Sequence, residues 1–413
     1  MLDILFMTSL IVVLSNWFLV LNCLSIMFFI LLIKIFNCGE DLISLIMILL
    51  SIWLISMMFM SVNLQEQTYL LMFIFIFVLV SLEITFLSEK MIFFYIGFEM
   101  SVIPVLIIIL GWGYQPDRLE AGMYMLIYTV FFSLPLLFGI FIFPYLTNIS
   151  MLTLMIYILS FLVKFPMFGI HLWLPRAHVE APVFGSMILA GVMLKLGGYG
   201  IIKISFMLGD YLYLFCSPII IYSIMGGLFL SAVCFMQSDM KMLVAYSSIV
   251  HMSLVLSGLL TLKEIGLSGA IFMMIGHGLC SSGLFCILGC TYNRTHTRSI
   301  FFNKGLISIF PIGSLWWFLF CSSNLSFPPS LNLGGEIFLF ISILSWNSVL
   351  FFLLGLIGVL SSMYSIYLYS FTQHGKIISF YSYMNFNINE SLVLFLHWIP
   401  LNLLILDLNL MLF

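Results

Sequence analysis

The chain is an almost unbroken series of apolar runs. Each is about 20 residues long, enough for one helix to cross a bilayer. By that criterion it divides into about 14 spans. They lie near Leu2–Asn16, Trp17–Phe36, Leu42–Ser61, Tyr69–Leu87, Met91–Leu110, Ala121–Leu146 and Leu152–Leu174. The rest are near Val183–Phe206, Leu212–Met236, Met242–Leu260, Ile265–Cys290, a broken Gly305–Ser345, Ser348–Phe371 and Ser391–Phe413. Only 7% of residues are charged, against about 25% in soluble domains. The expected fold class is all-α, a polytopic membrane protein with short loops. No segment is long enough for a soluble domain, so soluble catalytic chemistry is expected in partners. The first run begins at Met1 without a basic n-region or a small-residue cleavage site, and reads as a retained helix.

Against this background four ionisable side chains stand out. Lys164 and Lys195 interrupt the seventh and eighth runs, Glu99 the fifth, and Glu336 the twelfth. A charge near the bilayer centre costs roughly 2.5–3.5 kcal/mol on insertion scales. Such residues pair, line wet cavities or carry protons, because burial and neighbouring charge shift their proton affinity. Each also has a plainer reading. Lys164 and Glu99 would make a structural ion pair, Glu99 would sit at a kink before Pro104, and Glu336 would be an acid at a helix N-terminus. Lys195, in Gly-Val-Met-Leu-Lys-Leu-Gly-Gly-Tyr, has no route along which to snorkel if it is central.

Helix breakers flank two of the four. Pro166 and Pro175 bracket the stretch after Lys164, and Pro328, Pro329, Gly334 and Gly335 precede Glu336. Interrupted backbone at membrane depth is tolerated where it is buried in protein or lines a wet cavity, and transporters place such breaks at matching points of inverted repeats. The broken spans are the seventh and the twelfth. Their separation predicts two inverted five-helix repeats, residues 69–206 and 207–371, between N-terminal helices in 1–68 and a C-terminal loop and helix in 372–413. Loops after odd-numbered spans hold Arg118, Arg176, Lys241, Arg294, Arg298, Lys304 and Lys376. The other side holds Lys34, Lys90, Lys203 and Lys263. That bias puts the odd loops inside and both termini outside.

His171 and His178 follow Lys164 at seven-residue intervals, although Pro175 intervenes. His171 reads as a relay between the lysines or as a satisfied interior histidine, and His178 as a loop or helix-end residue held by Arg176 and Glu180. His251 and His277 lie inside apolar runs, the second among small residues that leave space for water. Imidazole both accepts and donates near neutral pH. The seven histidines are too scattered for a metal site, and His296 reads as an ordinary loop residue. None of the eight cysteines forms a CxxC pair, so buried thiols are expected rather than metal, haem or iron–sulfur ligation.

Longer motifs carry a resemblance. They are Phe94-Tyr-Ile-Gly-Phe-Glu-Met-Ser-Val-Ile-Pro-Val-Leu106, Gly111-Trp-Gly-Tyr-Gln-Pro-Asp-Arg-Leu-Glu-Ala-Gly122 and Lys164-Phe-Pro-Met-Phe-Gly-Ile-His-Leu-Trp-Leu-Pro-Arg-Ala-His-Val-Glu-Ala-Pro182. Further ones are Gly191-Val-Met-Leu-Lys-Leu-Gly-Gly-Tyr-Gly200, His277-Gly-Leu-Cys-Ser-Ser-Gly283 and Tyr292-Asn-Arg-Thr-His-Thr-Arg298. Together they resemble the antiporter-like membrane subunits of mitochondrial NADH:ubiquinone oxidoreductase, respiratory complex I. Sister antiporter subunits share the core pattern more loosely.

The resemblance implies a proton-translocating subunit. Glu99, Lys164, Lys195, His171, His251, His277 and Glu336 would form its mid-membrane proton path, and other membrane-arm subunits would be its partners. It places the chain in the mitochondrial inner membrane, with odd loops in the matrix and termini on the intermembrane-space side. NADH, FMN, iron–sulfur clusters and ubiquinone would belong to partner subunits, and no G-x-G-x-x-G follows a strand here. Two other classes fit the same core: an independent sodium/proton antiporter, and a structural subunit with inactive channels.

Overall fold

A computed structural model describes residues 2–11, 14, 16–37, 42–113, 115–142, 151–376 and 386–408. The chain folds as α1 (Leu2–Ile11), α2 (Trp17–Asn37), α3 (Leu42–Ser61), α4 (Tyr69–Leu87), α5 (Met91–Met100), α6 (Val102–Trp112), α7 (Arg118–Ile142), α8 (Met151–Lys164) and α9 (Trp173–Glu180). It continues as α10 (Val183–Ile188), a π-helical turn (Leu189–Met193), α11 (Leu194–Leu208), α12 (Asp210–Cys234), α13 (Met240–Leu260) and α14 (Glu264–Thr295). The last are α15 (Leu306–Ile309), α16 (Pro311–Asn324), α17 (Leu331–Trp346), α18 (Phe351–Gln373) and α19 (Ile388–Leu403). Helix satisfies every backbone group internally, which a hydrocarbon environment demands. Among the described residues the β pairing is a single antiparallel bridge, Asp239–Ser299, between two loops.

Eleven helical segments among the described residues are long and apolar enough to cross a membrane. They coincide with eleven of the expected spans. The other three are α1, which has ten residues, and the two broken spans α8–α9 and α16–α17. Residues 12, 13 and 15 of the expected first span lie outside the described residues. The expected fifth span is interrupted at Ser101, between α5 and α6.

Helix α14 is the axis of the bundle. Its apolar window is wholly buried, and α3, α10, α13, α16, α17 and α19 pack around it. Glycine lets α11 approach α8 closely. A Cβ on Gly197 would stand 2.8 Å from the Phe165 backbone nitrogen, and one on Gly200 would stand 2.2 Å from the Phe161 ring. Small residues at such crossings replace the hydrophobic drive that lipid removes.

The two breaks share one hydrogen-bond pattern. In the first, the amides of residues 165, 167 and 170 donate to the carbonyls of 161, 162 and 167. In the second, the amides of 325, 327 and 330 donate to the carbonyls of 321, 322 and 327. Every donor and acceptor is displaced by 160 residues (165 to 325, 161 to 321, and so on). In each break a later side chain donates to a carbonyl near the helix end. Trp173 Nε1 donates to Val163 O at 3.0 Å, and Asn332 Nδ2 to Ser323 O at 2.9 Å. Gly169 supplies the left-handed residue of the first break, at φ 92°, a conformation that favours glycine.

Candidate functional site

Lys195 lies in the first turn of α11, immediately after the π-helical turn, and is fully buried. Such turns widen a helix and often mark functional positions. Its Nζ donates to Ala190 O, inside that turn, and lies 3.0 Å from His277 Nδ1 on α14. Gly278 leaves room for this contact, since a Cβ there would meet Gly191 O at 3.1 Å and Lys195 Cε at 3.6 Å. A protonated lysine has only hydrogens to give, so His277 Nδ1 accepts and its Nε2 carries the ring hydrogen. The arrangement suits transfer: a proton taken at Nδ1 allows one to leave from Nε2.

The row continues into α13 and α17. The His277 and His251 ring centroids are 5.6 Å apart. His251 Nδ1 lies 3.3 Å from Glu336 Oε1, although off the axis of a ring N–H hydrogen bond. On its other edge Nε2 lies 3.4 Å from the Tyr364 hydroxyl of α18. His277 and His251 are buried, whereas the Glu336 side chain retains 14% exposure. Lys195, His277, His251 and Glu336 therefore form one file, each on a different helix.

The other three expected residues are arranged differently. Lys164, the last residue of α8, is buried. Its Nζ donates to Phe98 O at 2.5 Å and sits 3.2 Å from the centre of the Phe98 ring. Phe98 O, beside the interruption at Ser101, also accepts from Ser101 Oγ at 2.7 Å. No ion pair joins Glu99 to Lys164 among the described residues. The expected pairing is corrected to a through-space interaction, because a carbonyl and a ring face draw the ammonium aside. Glu99 is half-buried, and its Oε1 has no hydrogen-bond partner.

His171 lies in the first break. Its Nδ1 accepts from the Gly169 amide at 3.2 Å, and its ring stacks on Phe168 and meets Tyr246 edge-on. It bonds neither lysine, so the expected relay between them is not formed by direct contact.

Other polar groups near the site were expected as ordinary loop or helix-end residues. His178 is buried in α9 and stacks on Phe285 at 4.5 Å, with both ring nitrogens unpartnered. Arg176, expected to hold it, instead pairs with Glu120 and covers Tyr124. Lys241 donates to Ala181 O at 2.9 Å. At the end of α9 the Glu180 carboxyl is raised above the usual carboxylate range by burial, which Arg298 opposes. Glu180 lines an open cavity of about 300 Å³ together with Asp117, Glu120, Arg176 and Asp239. The signal available for His178 was its place between Pro175 and Pro182, whereas Lys241 sat in a loop, where charge has too many ordinary explanations.

Comparison with known proteins bears on this geometry. Residues 88–362 match the family described as NADH:quinone oxidoreductase/Mrp antiporter, TM. NADH-ubiquinone oxidoreductase chain 4 of Ceratitis capitata is 50% identical over 398 residues, covering 91% of this chain and 88% of that protein. The Locusta migratoria protein of that name is 43% identical over 415 residues, covering 94% of both. Among solved structures, a chain of respiratory complex I from Thermus thermophilus matches with TM-score 0.87 at 18% identity, covering 97% of this chain and 93% of that one. A chain of the Mrp complex from Dietzia sp. matches with TM-score 0.82 at 14% identity, covering 90% and 82%.

Proposed function

The chain belongs to the NADH:quinone oxidoreductase/Mrp antiporter transmembrane family, and we propose that its buried row of Lys195, His277, His251 and Glu336 carries the translocated proton. The chain is a multi-pass, membrane-arm subunit of respiratory complex I, the proton-translocating NADH:ubiquinone reductase, and takes part in proton translocation beside the other membrane-arm subunits. Its relatives' names support a setting in the mitochondrial inner membrane, and the positive-inside bias supports termini on the intermembrane-space side. NADH, FMN, iron–sulfur clusters and ubiquinone are assigned to partner subunits.

One observation carries the reading: a buried lysine, two buried histidines whose ring centroids are 5.6 Å apart, and a partly exposed acid stand in one row. The acids stand at the ends. Glu99 and Glu336 are the partly exposed members, and the bases between them are buried. A charge change in a neighbouring subunit near Glu99 alters the field on Lys164. In a low-dielectric interior that field reaches Lys195 over several ångströms. Lys195 then yields its proton to His277, and the interval to His251 is crossed by a ring rotation or a bridging water. A cavity of about 10 Å³ separates Lys164 from Leu189 and Met193 of the π turn, close to the volume one water centre needs. Residues 69–206 and 207–371 act as two inverted half-channels joined at Lys195.

The test is Lys195→Met in the assembled complex. The thioether fills the space and holds no proton. NADH-driven proton uptake into sealed vesicles is expected to fall at least about tenfold, with assembly unchanged. Uptake near the wild-type rate would refute the reading.

A further inference from the structure

A further buried acid lies outside the row. Glu83, on α4, is fully buried within a run that holds no lysine, arginine or histidine. No ion pair reaches it among the described residues. Its Oε2 is 2.8 Å from Thr8 Oγ1 on α1, and its Oε1 has no hydrogen-bond partner. Thr8 is the polar member of the buried face of α1, between Ile4 and Ile11.

The hydrogen count is informative. Thr8 Oγ1 also lies 3.0 Å from Leu5 O and 3.3 Å from Ile4 O. The hydroxyl has one hydrogen and three acceptors within reach. If it bonds its own helix, as buried threonines commonly do, the short contact to Glu83 needs a hydrogen from the acid. A neutral carboxyl supplies it from Oε2. The unpartnered Oε1 is then a carbonyl oxygen, cheaper to leave bare than half of a buried carboxylate.

We propose that Glu83 is held as a neutral carboxylic acid whose hydroxyl donates to Thr8 and so fastens the N-terminal helix to the bundle, outside the proton-carrying row. Helix α1 has only ten residues, and packing in lipid gains little from apolar contact alone. A hydrogen bond between helices supplies the missing hold.

The experiment uses the assembled complex in membranes, with Glu83→Gln and Glu83→Leu. Infrared spectroscopy should show a protonated, weakly bonded carboxyl band in the wild type that Glu83→Gln removes. A maleimide should label Ile11→Cys several-fold faster in the Glu83→Leu background than with Glu83 intact, against the complex without that cysteine. Glu83→Gln, whose amide donates to the same oxygen, should restore slow labelling. NADH-driven proton uptake in Glu83→Gln should stay near wild type. An ionised carboxylate band at Glu83, or equal labelling in all backgrounds, would overturn the proposal. So would loss of uptake in an assembled Glu83→Gln complex, which would place Glu83 on a proton path. Lys195→Met tests the row independently, since it leaves Glu83 and Thr8 untouched.

Discussion

The two broken spans share a set of backbone hydrogen bonds and differ in their side chains. Their turns repeat the same three hydrogen bonds 160 residues apart. In the first, the residue that ends the leading helix is Lys164. In the second, the corresponding residue is Asn324, and the ionisable group, Glu336, lies beyond the break in the trailing helix. The consequence is visible in the contacts. Lys164 is turned onto a carbonyl and a ring, whereas Glu336 faces His251 and, through it, His277 and Lys195. One backbone device thus serves two purposes. The first break buries an ammonium against a carbonyl and a ring, and the second places an acid at the end of the row of buried bases.

That contrast can be broken by substitution. His277→Phe keeps the ring volume and removes both nitrogens, so it severs the file next to Lys195. Proton uptake driven by NADH should fall at least about tenfold in assembled membranes. His171→Phe should stay within about twofold of wild type, because His171 is held by Phe168 and a local amide rather than by either lysine. Equal damage from the two changes would remove the distinction between the halves.

The first half can be sharpened rather than broken. A double-mutant cycle on Glu99→Gln and Lys164→Met, read in steady-state activity, should give a coupling of about 0.5–1 kcal/mol, the low end of the range for interacting residues. A value near 3 kcal/mol would mean that a closed ion pair forms in the working complex. Zero would mean that the two groups do not sense each other.

The sequence made the helical frame legible because lipid imposes a length and a polarity on each span. Pro166, Pro175, Pro328 and Pro329 marked both breaks for the same reason: proline cannot continue the helical ladder. Lys195, His251, His277 and Glu336 were visible as polar letters in apolar runs. Their order in space was not, because each sits on a different helix. The π turn has no marker in Leu-Ala-Gly-Val-Met. Lys164 was expected to meet an acid, but its nearest partner is the Phe98 carbonyl, and a carbonyl has no letter. Glu83 and Thr8 are 75 residues apart, and neither letter names the other.

On the proposed path the file ends in a group that takes up and releases a proton. The direct measurement is NADH-driven proton uptake in sealed vesicles carrying Glu336→Gln or Glu336→Asp. The aspartate titrates but reaches about one methylene less far, so that variant should keep part of the uptake, whereas the glutamine, polar but not titratable, should lose at least about tenfold. If the glutamine variant pumps as well as the aspartate variant, Glu336 serves only to hold His251 in place and the proton leaves by another route.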